Sequence, residues 1–345
     1  MLRCVDLFSG IGGIGHALRG VVTPVVHVEL HDDARSFLAK KHPDAQTFAD
    51  VRDFNATLFK GKIDIVVGGW PCTGFSTGGK GTGFSHEASG LFTEVVRIAR
   101  ECEPKYLFLE NSHTLHRQEN VRVVVDALDS LGYDCRWLTC RASDVGAKHL
   151  RHRWFCLAVK RGVPIRINVP DVGRFDWNSE EPCRQIRKNT KKNKKLLGFL
   201  GNAVVPDQVR HAFKRLVTVK PEELLTSSGE KSGYSVSGTV FECEYQHVPV
   251  KKKLVHVVLT PRAVSVNARC DHKNVLKSPI TITFWPTPVH QYGNTCKCPK
   301  TLTKRTSKML PACVGYSEGG QKDWYLNSDW VRWLMGYPED YFDTL

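Results

Sequence analysis

The residues best suited to chemistry stand where apolar runs end. The segment Ile63-Asp64-Ile65-Val66-Val67-Gly68-Gly69-Trp70-Pro71-Cys72-Thr73-Gly74-Phe75-Ser76 reads as a buried strand opening into a glycine-rich loop, with Cys72 at its mouth. A thiolate nucleophile needs access, and Gly74, Gly78, Gly79, Gly81 and Gly83 leave the loop able to close over a substrate and exclude water. The alternative is an inert thiol, the usual state of a cysteine in a reduced protein. Earlier in the chain, Cys4-Val5-Asp6-Leu7-Phe8-Ser9-Gly10-Ile11-Gly12-Gly13 is a strand running into a glycine turn and then a helix. In open α/β sheets cofactors bind at that edge, because glycine lets a ligand approach the backbone. The turn lacks the G-x-G-x-x-G spacing of a pyrophosphate site and no Gly-Lys-Ser/Thr follows, which disfavours dinucleotides and nucleoside triphosphates. Glu29 closes Val25-Val26-His27-Val28, where it could bond ribose hydroxyls or serve as a charge at a helix N-terminus. With Asp50-Val51 after a third strand, the pattern suggests adenosine without pyrophosphate along successive strand ends, and so S-adenosylmethionine.

These groups need a sheet to align them. The first 160 residues alternate short apolar runs with amphipathic stretches, the pattern of a doubly wound parallel sheet with helices on both faces. Strands are expected at Arg3 to Phe8, Val25 to Glu29, Thr47 to Phe48, Ile63 to Val67, Tyr106 to Glu110, Tyr133 to Leu138 and Trp154 to Val159. Helices are expected at Gly13 to Arg19, Asp32 to Lys41, Ser89 to Cys102, Glu119 to Leu131 and Asp207 to Val217. After Val159 the rhythm breaks into a basic, irregular segment to about Lys195, punctuated by Pro164, Pro170, Gly173 and Pro182. From Lys220 the chain is β-branched, Pro-rich and basic, which suggests a second, smaller, mostly β domain. It ends in an aromatic amphipathic segment, Trp330 to Met335, whose Trp330 and Trp333, with Tyr337, read as core packing rather than a base-stacking platform.

Composition narrows the partners. The chain has 345 residues, 41% of them apolar and 24% charged, as in a globular protein able to bury a core. No run of about 20 apolar residues is present, and the N-terminus enters a strand without the features of a signal peptide, so an intracellular, non-membrane protein is expected. Twelve cysteines, mostly single within apolar segments, suggest a reducing compartment. Charge is one-sided: residues 1–160 hold 20 Lys and Arg against 18 Asp and Glu, and the remainder carries +12 of the net +14. One cluster is Arg184, Arg187, Lys188, Lys191, Lys192, Lys194 and Lys195, and a second runs from Lys251 to Lys308 with Asp271 its single acid. Such a bias, interleaved with Phe284, Trp285, His290 and Tyr292, is the footprint of a nucleic-acid partner, against the alternative of a solvated face. Cys270, His272, Cys296 and Cys298 could supply zinc ligands, but C-x-C lacks the usual spacing and ordinary thiols are the default; no catalytic metal is expected.

Asp6 to Gly13, Pro71-Cys72 with Phe75-Ser76, Glu110-Asn111-Ser112, Arg151-His152-Arg153 and Gly201-Asn202-Ala203-Val204-Val205-Pro206 together resemble the ordered motifs of the cytosine-C5 DNA methyltransferases. The resemblance covers the first 200 residues or so well and the rest poorly. It implies a Rossmann-like S-adenosylmethionine-dependent methyltransferase domain over residues 1–219, a target-recognition domain binding double-stranded DNA over 220–323, and a segment 324–345 folding back on the catalytic domain, in a chain expected to act as a monomer. It makes Cys72 the nucleophile that adds to cytosine C6 and Glu110 the carboxyl acting at N3. Arg151 and Arg153 become substrate anchors, their alternative being ordinary surface charge. Cofactor contacts implied are Phe8, Ser9, Gly10, Ile11, Gly13, Glu29, Leu30, Asp50, Val51, Pro71, Leu91, Asn202 and Ala203. The target base lies inside a duplex, so it must be flipped out.

The chain departs from the family pattern at Thr73 and His149, each where glutamine is usual, and at Ala88, where arginine is common. Order departs too. The Gly201 to Pro206 motif normally closes the chain, whereas here Trp333-Leu334-Met335-Gly336-Tyr337-Pro338, which resembles the preceding motif, follows it, a permutation reminiscent of some phage and viral members. Two rival readings are a tRNA cytosine methyltransferase and a catalytically inactive DNA-binding homologue. The Cys-Phe-Thr tripeptide of the tRNA enzymes is absent, and Cys72, Glu110 and the arginines that an inactive homologue would lose are present.

Overall fold

The computed structural model describes residues 1–71, 90–116, 118–224, 231–242, 285 and 325–345. Cys72, Thr73 and Ala88, the four zinc candidates and most of the interval 220–323 lie outside them.

Nine strands form one sheet in the order β10-β9-β6-β7-β5-β4-β1-β2-β3. The strands are β1 (Leu2–Leu7), β2 (Val22–Val28), β3 (Gln46–Phe48), β4 (Ile65–Gly68), β5 (Tyr106–Ser112), β6 (Tyr133–Arg141), β7 (His152–Lys160), β9 (Ser232–Val236) and β10 (Thr239–Glu242). Neighbours from β3 to β5 pair in parallel. The expected parallel arrangement holds from β3 to β5; at the other side β7 runs antiparallel between β5 and β6, and β9 and β10 add antiparallel beyond β6. Direction leaves no trace in the periodicity: the middle of β7 is covered on both faces, so its run from Trp154 to Val159 is as continuously apolar as a parallel strand. Because β9 and β10 fall after residue 219, the sheet continues into the interval expected to be a separate domain.

Alternation sorts the core onto two faces. Val5, Leu7, Val66, Leu107 and Leu109 meet α3 (Phe92–Cys102) and α4 (Gln118–Asp129). Cys4, Ile65, Val67, Tyr106 and Phe108 meet α1 (Gly13–Ala17) and α6 (Pro206–Thr218). In α3 the buried Phe92, Val95, Ile98, Ala99 and Cys102 recur at helical spacing, and each large apolar side chain so buried contributes about 1.5–3 kcal/mol. Helix α2 (Asp32–Lys41) falls on the expected boundaries, with two acids in its first turn and two lysines in its last, as the helix dipole favours.

A third cluster lies over the edge carrying the glycine turn. It joins α2 to α5 (Lys191–Asn202), α8 (Ser328–Leu334) and the chain that follows, burying Phe37, Leu196, Leu200, Trp330, Trp333, Tyr337 and Tyr341. Helix α5 starts inside the segment expected to be irregular. Thr190 caps it by accepting from Asn193 N at 3.1 Å, and Leu196, Phe199 and Leu200 anchor its inner face while Lys191, Lys192 and Lys194 stay exposed. A short α7 (Pro221–Leu224) and a two-stranded sheet of β8 (Gln185–Ile186) and β11 (Tyr325–Leu326) complete the described elements. Trp285 joins the same cluster: its N–H donates to Lys148 O at 2.7 Å, and its ring meets Trp330 edge-on at 5.0 Å.

Candidate active site

Strands β1, β2, β4 and β5 deliver the candidate residues to one sheet edge, and β7 reaches it from the opposite direction. At the end of β1 the backbone turns sharply, with positive φ at Phe8, Gly10 and Gly12. Phe8, at φ 55, sits where a side chain costs on the order of 1–3 kcal/mol, the kind of strain that gathers at functional turns. Ser9 locks the turn to β2: its N–H donates to Val28 O at 3.1 Å and its hydroxyl to Asp6 O at 2.6 Å.

Glu29 leaves the end of β2 and faces this turn. One carboxylate oxygen accepts from Gly10 N at 2.7 Å and the other from His31 N at 2.8 Å. His31 is the residue preceding α2, so the two readings of Glu29 are compatible: the same carboxylate borders the turn and serves the helix N-terminus. Leu30 beside it is 67% exposed, an unusual setting for a large apolar side chain. Glu29 N donates to Phe48 O at 3.0 Å, bringing the end of β3 alongside. There Asp50 pairs with Arg52, whose hydrogen bonds pull its carboxyl down to about 2. Val51 is buried, its carbonyl accepting from Arg97 of α3 at 2.8 Å.

An adenosyl ligand fits this edge. Among the described residues nothing lies within 4 Å of where a side chain on Gly10 would begin, so they leave the space before the turn open. Round it stand backbone N–H groups, a carboxylate suited to ribose hydroxyls and an exposed apolar side chain suited to a base face. Asn202 and Ala203 end α5, and the following Val204 packs against the turn, its Cγ2 2.8 Å from where a Gly13 Cβ would stand.

The second group is built from charge. Glu110 on β5 and Arg153 on β7 form a diagonal cross-strand pair, Arg153 Nε lying 2.9 Å from Glu110 Oε1, and both side chains are mostly buried. Gly69, after β4, backs onto Glu110: a Cβ there would stand 2.6 Å from Oε2. Asn111, next to Glu110, donates from Nδ2 to Trp70 O at 3.1 Å, so β5 also fixes the chain entering Pro71 and Cys72. Pro71 itself is exposed at this edge, and Leu91 precedes α3, half-buried against the core. Arg151 is buried, and its carbonyl accepts from Ala142 N and from Gln208 Nε2, each at 2.8 Å. Gln208, 1% exposed, also donates to Cys140 O at 2.8 Å and so pins Arg151 to β6. His149, where the family usually has glutamine, is buried and its imidazole is held neutral, pushed down to about 3 by burial and then by Arg151 and Arg153. His152 between the arginines stacks on His113 at 4.7 Å and is also pushed down to about 3, by burial first and then by its cationic neighbours.

The structure thus brings Phe8 to Gly13 together with Glu29 and Leu30, sets Asp50 and Val51 at the adjoining strand end, and unites Glu110 with Arg153. Sequence reasoning missed Gln208 and the link of Asn111 to Trp70. Adjacency to quoted motifs was the available signal for both, since Asn111 sits inside Glu110-Asn111-Ser112 and Gln208 follows Pro206. Among the described residues, no group of three or more His, Cys, Asp or Glu is arranged to hold a metal ion.

A mixed sheet with an antiparallel β7, a glycine turn after β1 and an acid after β2 define a Rossmann-like methyltransferase. Residues 2–308 match C-5 cytosine-specific DNA methylase, and the chain belongs to that family. Type II methyltransferase M.CviJI of Paramecium bursaria Chlorella virus IL3A is 38% identical, over 99% of this chain and 98% of its own. M.NgoMIV of Neisseria gonorrhoeae is 33% identical over 52% of this chain and 56% of its own, and M.HhaI of Haemophilus parahaemolyticus 28% over 48% and 51%.

Proposed function

We propose that this chain transfers a methyl group from S-adenosylmethionine to C5 of cytosine in double-stranded DNA, through a covalent adduct of Cys72 with a flipped-out base. The observation that carries the reading is the buried Glu110–Arg153 pair, set at the sheet edge into which β4 and Pro71 lead. Cytosine C5 is a poor nucleophile, so the ring has to be activated first. Cys72, deprotonated to the thiolate, forms an Sγ–C6 bond, and the electron pair of the C5–C6 double bond moves into the ring. Glu110 hydrogen-bonds or protonates N3 as its basicity rises, and Arg153 holds that carboxyl in position. Arg151 polarises the base carbonyl. When bound, S-adenosylmethionine supplies an electrophilic methyl group; the residues that would hold it are the Phe8 to Gly13 turn, Glu29, Leu30, Asp50, Val51, Pro71, Leu91, Asn202 and Ala203. After C5 is methylated, a base takes the C5 proton, the Sγ–C6 bond breaks and the ring double bond returns.

The basic interval 220–323 supplies sequence choice in this reading, with the permuted order of the last two motifs enclosing it. The chain acts inside cells, and no described helix is long and apolar enough to cross a membrane. The test is transfer of a labelled methyl group to duplex DNA and, in parallel, to tRNA, with Cys72→Ala as control. Label on DNA cytosine that disappears in the variant supports the reading. Label on tRNA alone, or DNA binding without transfer to either, would overturn it in favour of an RNA enzyme or an inactive reader.

A further inference from the structure

The stretch Leu334-Met335-Gly336-Tyr337-Pro338-Glu339-Asp340-Tyr341 has no assigned chemistry, yet it ends on the glycine turn. Helix α8 stops at Leu334, and Gly336, at φ +76, reverses the chain. Arg332 fixes the reversal: its carbonyl accepts from Tyr337 N at 3.1 Å, and its Nη1 donates to Tyr337 O at 2.9 Å. Pro338 then starts a single helical turn, closed by Tyr341 N donating to Pro338 O at 3.2 Å. The two tyrosine rings lie 4.6 Å apart and are almost wholly buried. Both hydroxyls reach backbone carbonyls beside the turn. Tyr341 donates to Ile11 O at 2.7 Å, and Tyr337 to Val204 O at 3.0 Å. Tyr337 OH stands only 2.5 Å from where a Gly13 Cβ would be, so ring and turn fit against each other.

We infer that Tyr341 and Tyr337 are positioning residues for cofactor binding, their hydroxyls holding the glycine turn in its ligand-ready shape from the side away from the ligand. The inference rests on the reading of that turn as the S-adenosylmethionine site. A turn with glycine at 10, 12 and 13 has wide conformational freedom, and ordering it costs more than ordering any other residues would. Ser9 and Glu29 fasten its near side. Ile11 O, flanked by the left-handed Gly10 and Gly12, is fastened by Tyr341 on the far side. Lys41 in turn orients Tyr341, donating to its carbonyl at 3.0 Å with Nζ 3.8 Å from its ring centre. Losing the hydroxyl removes no ligand contact; it leaves a buried carbonyl without its donor and the turn less ordered before binding.

Isothermal titration of the full chain with S-adenosylhomocysteine tests this, using Tyr341→Phe, Tyr337→Phe and Lys41→Met. Tyr341→Phe should bind roughly 10-fold more weakly, raise the KM for S-adenosylmethionine in parallel and leave kcat at saturation within about twofold. Faster amide exchange over residues 9–13 should accompany the loss. Lys41→Met should shift affinity in the same direction by less, independently of whether the tyrosine variants fold well. Trp333→Phe removes a 3.1 Å bond to Ser179 in the same cluster without touching the turn, and should bind as the parent does. Unchanged affinity in Tyr341→Phe, or an equal loss in Trp333→Phe, overturns the inference. Failure of the parent chain to bind at all overturns instead the reading on which it rests.

Discussion

The two halves of the edge proposed as the active site, one for cofactor and one for substrate, are held by different forces. The cofactor half is fastened through backbone: Gly10 N and His31 N on Glu29, Ser9 N on Val28, Ile11 O under Tyr341. The substrate half is fastened through side chains, with Glu110 against Arg153 and Asn111 and Gln208 steering their neighbours. Shape suffices for a ligand that is only held, whereas a base that must gain and lose a proton needs groups whose charge is set in advance. Substitutions in the two halves should therefore separate binding from turnover.

The largest separation is expected from Glu110→Gln, which keeps the size of the side chain and removes the acid. Methyl transfer should fall by about 10²- to 10⁴-fold with affinity for S-adenosylhomocysteine within twofold, measured by single-turnover kinetics and titration. A matching loss of cofactor affinity would break the distinction. Glu29→Ala should do the reverse, weakening cofactor binding on the order of 10- to 100-fold, because it strips two backbone N–H groups of a charged partner. Asn111→Ala frees Trp70 O and loosens the approach to Cys72, so a fall in kcat of about 3- to 10-fold is expected with unchanged affinity.

Activity at neutral pH is left aside by the last effect, which concerns stability in acid. His149 and His152 are held neutral at about 3 in the fold, against 6.5 ordinarily, so the unfolded chain takes up protons first as pH falls. Their contribution to stability is whole above pH 6.5 and is lost progressively on the way down to about 3, with a slope near 1.4 kcal/mol per pH unit for the fully buried His149 and a smaller one for His152, which solvent partly screens. His149→Gln should flatten the fall in the urea midpoint between pH 6.5 and 5 by one proton's share. An unaltered slope would show that this imidazole is not buried neutral.

Much of the fold was legible because period and caps agreed. Asp32–Lys41 was bounded by acids and lysines, and Phe92–Cys102 by an unbroken apolar stripe. Helix α5 was hidden by four lysines in its first turns, where the helix dipole disfavours positive charge, and by Gly198 and Gly201, which weaken an isolated helix; contacts of Leu196, Phe199 and Leu200 made elsewhere in the chain overrule them. The glycine turn could be read from residue type alone. Glu110 and the arginines could not: a carboxylate at a strand end is ambiguous until the antiparallel β7 sets Arg153 across from it, and only the resemblance gave them roles. The aromatic cluster at Trp330, Trp333 and Tyr337 is buried, as its spacing suggested, but its hydroxyl bonds depend on partners over a hundred residues away and leave no local mark.

The bond between Tyr341 and Ile11 joins residues 330 positions apart. Closing a loop of that length costs on the order of 5 kcal/mol in chain entropy, a cost met only once the intervening elements are already packed. The glycine turn thus owes one of its anchors to residues far along the chain. A chain interrupted anywhere between the two would carry the glycine turn without the hydroxyl that fastens it.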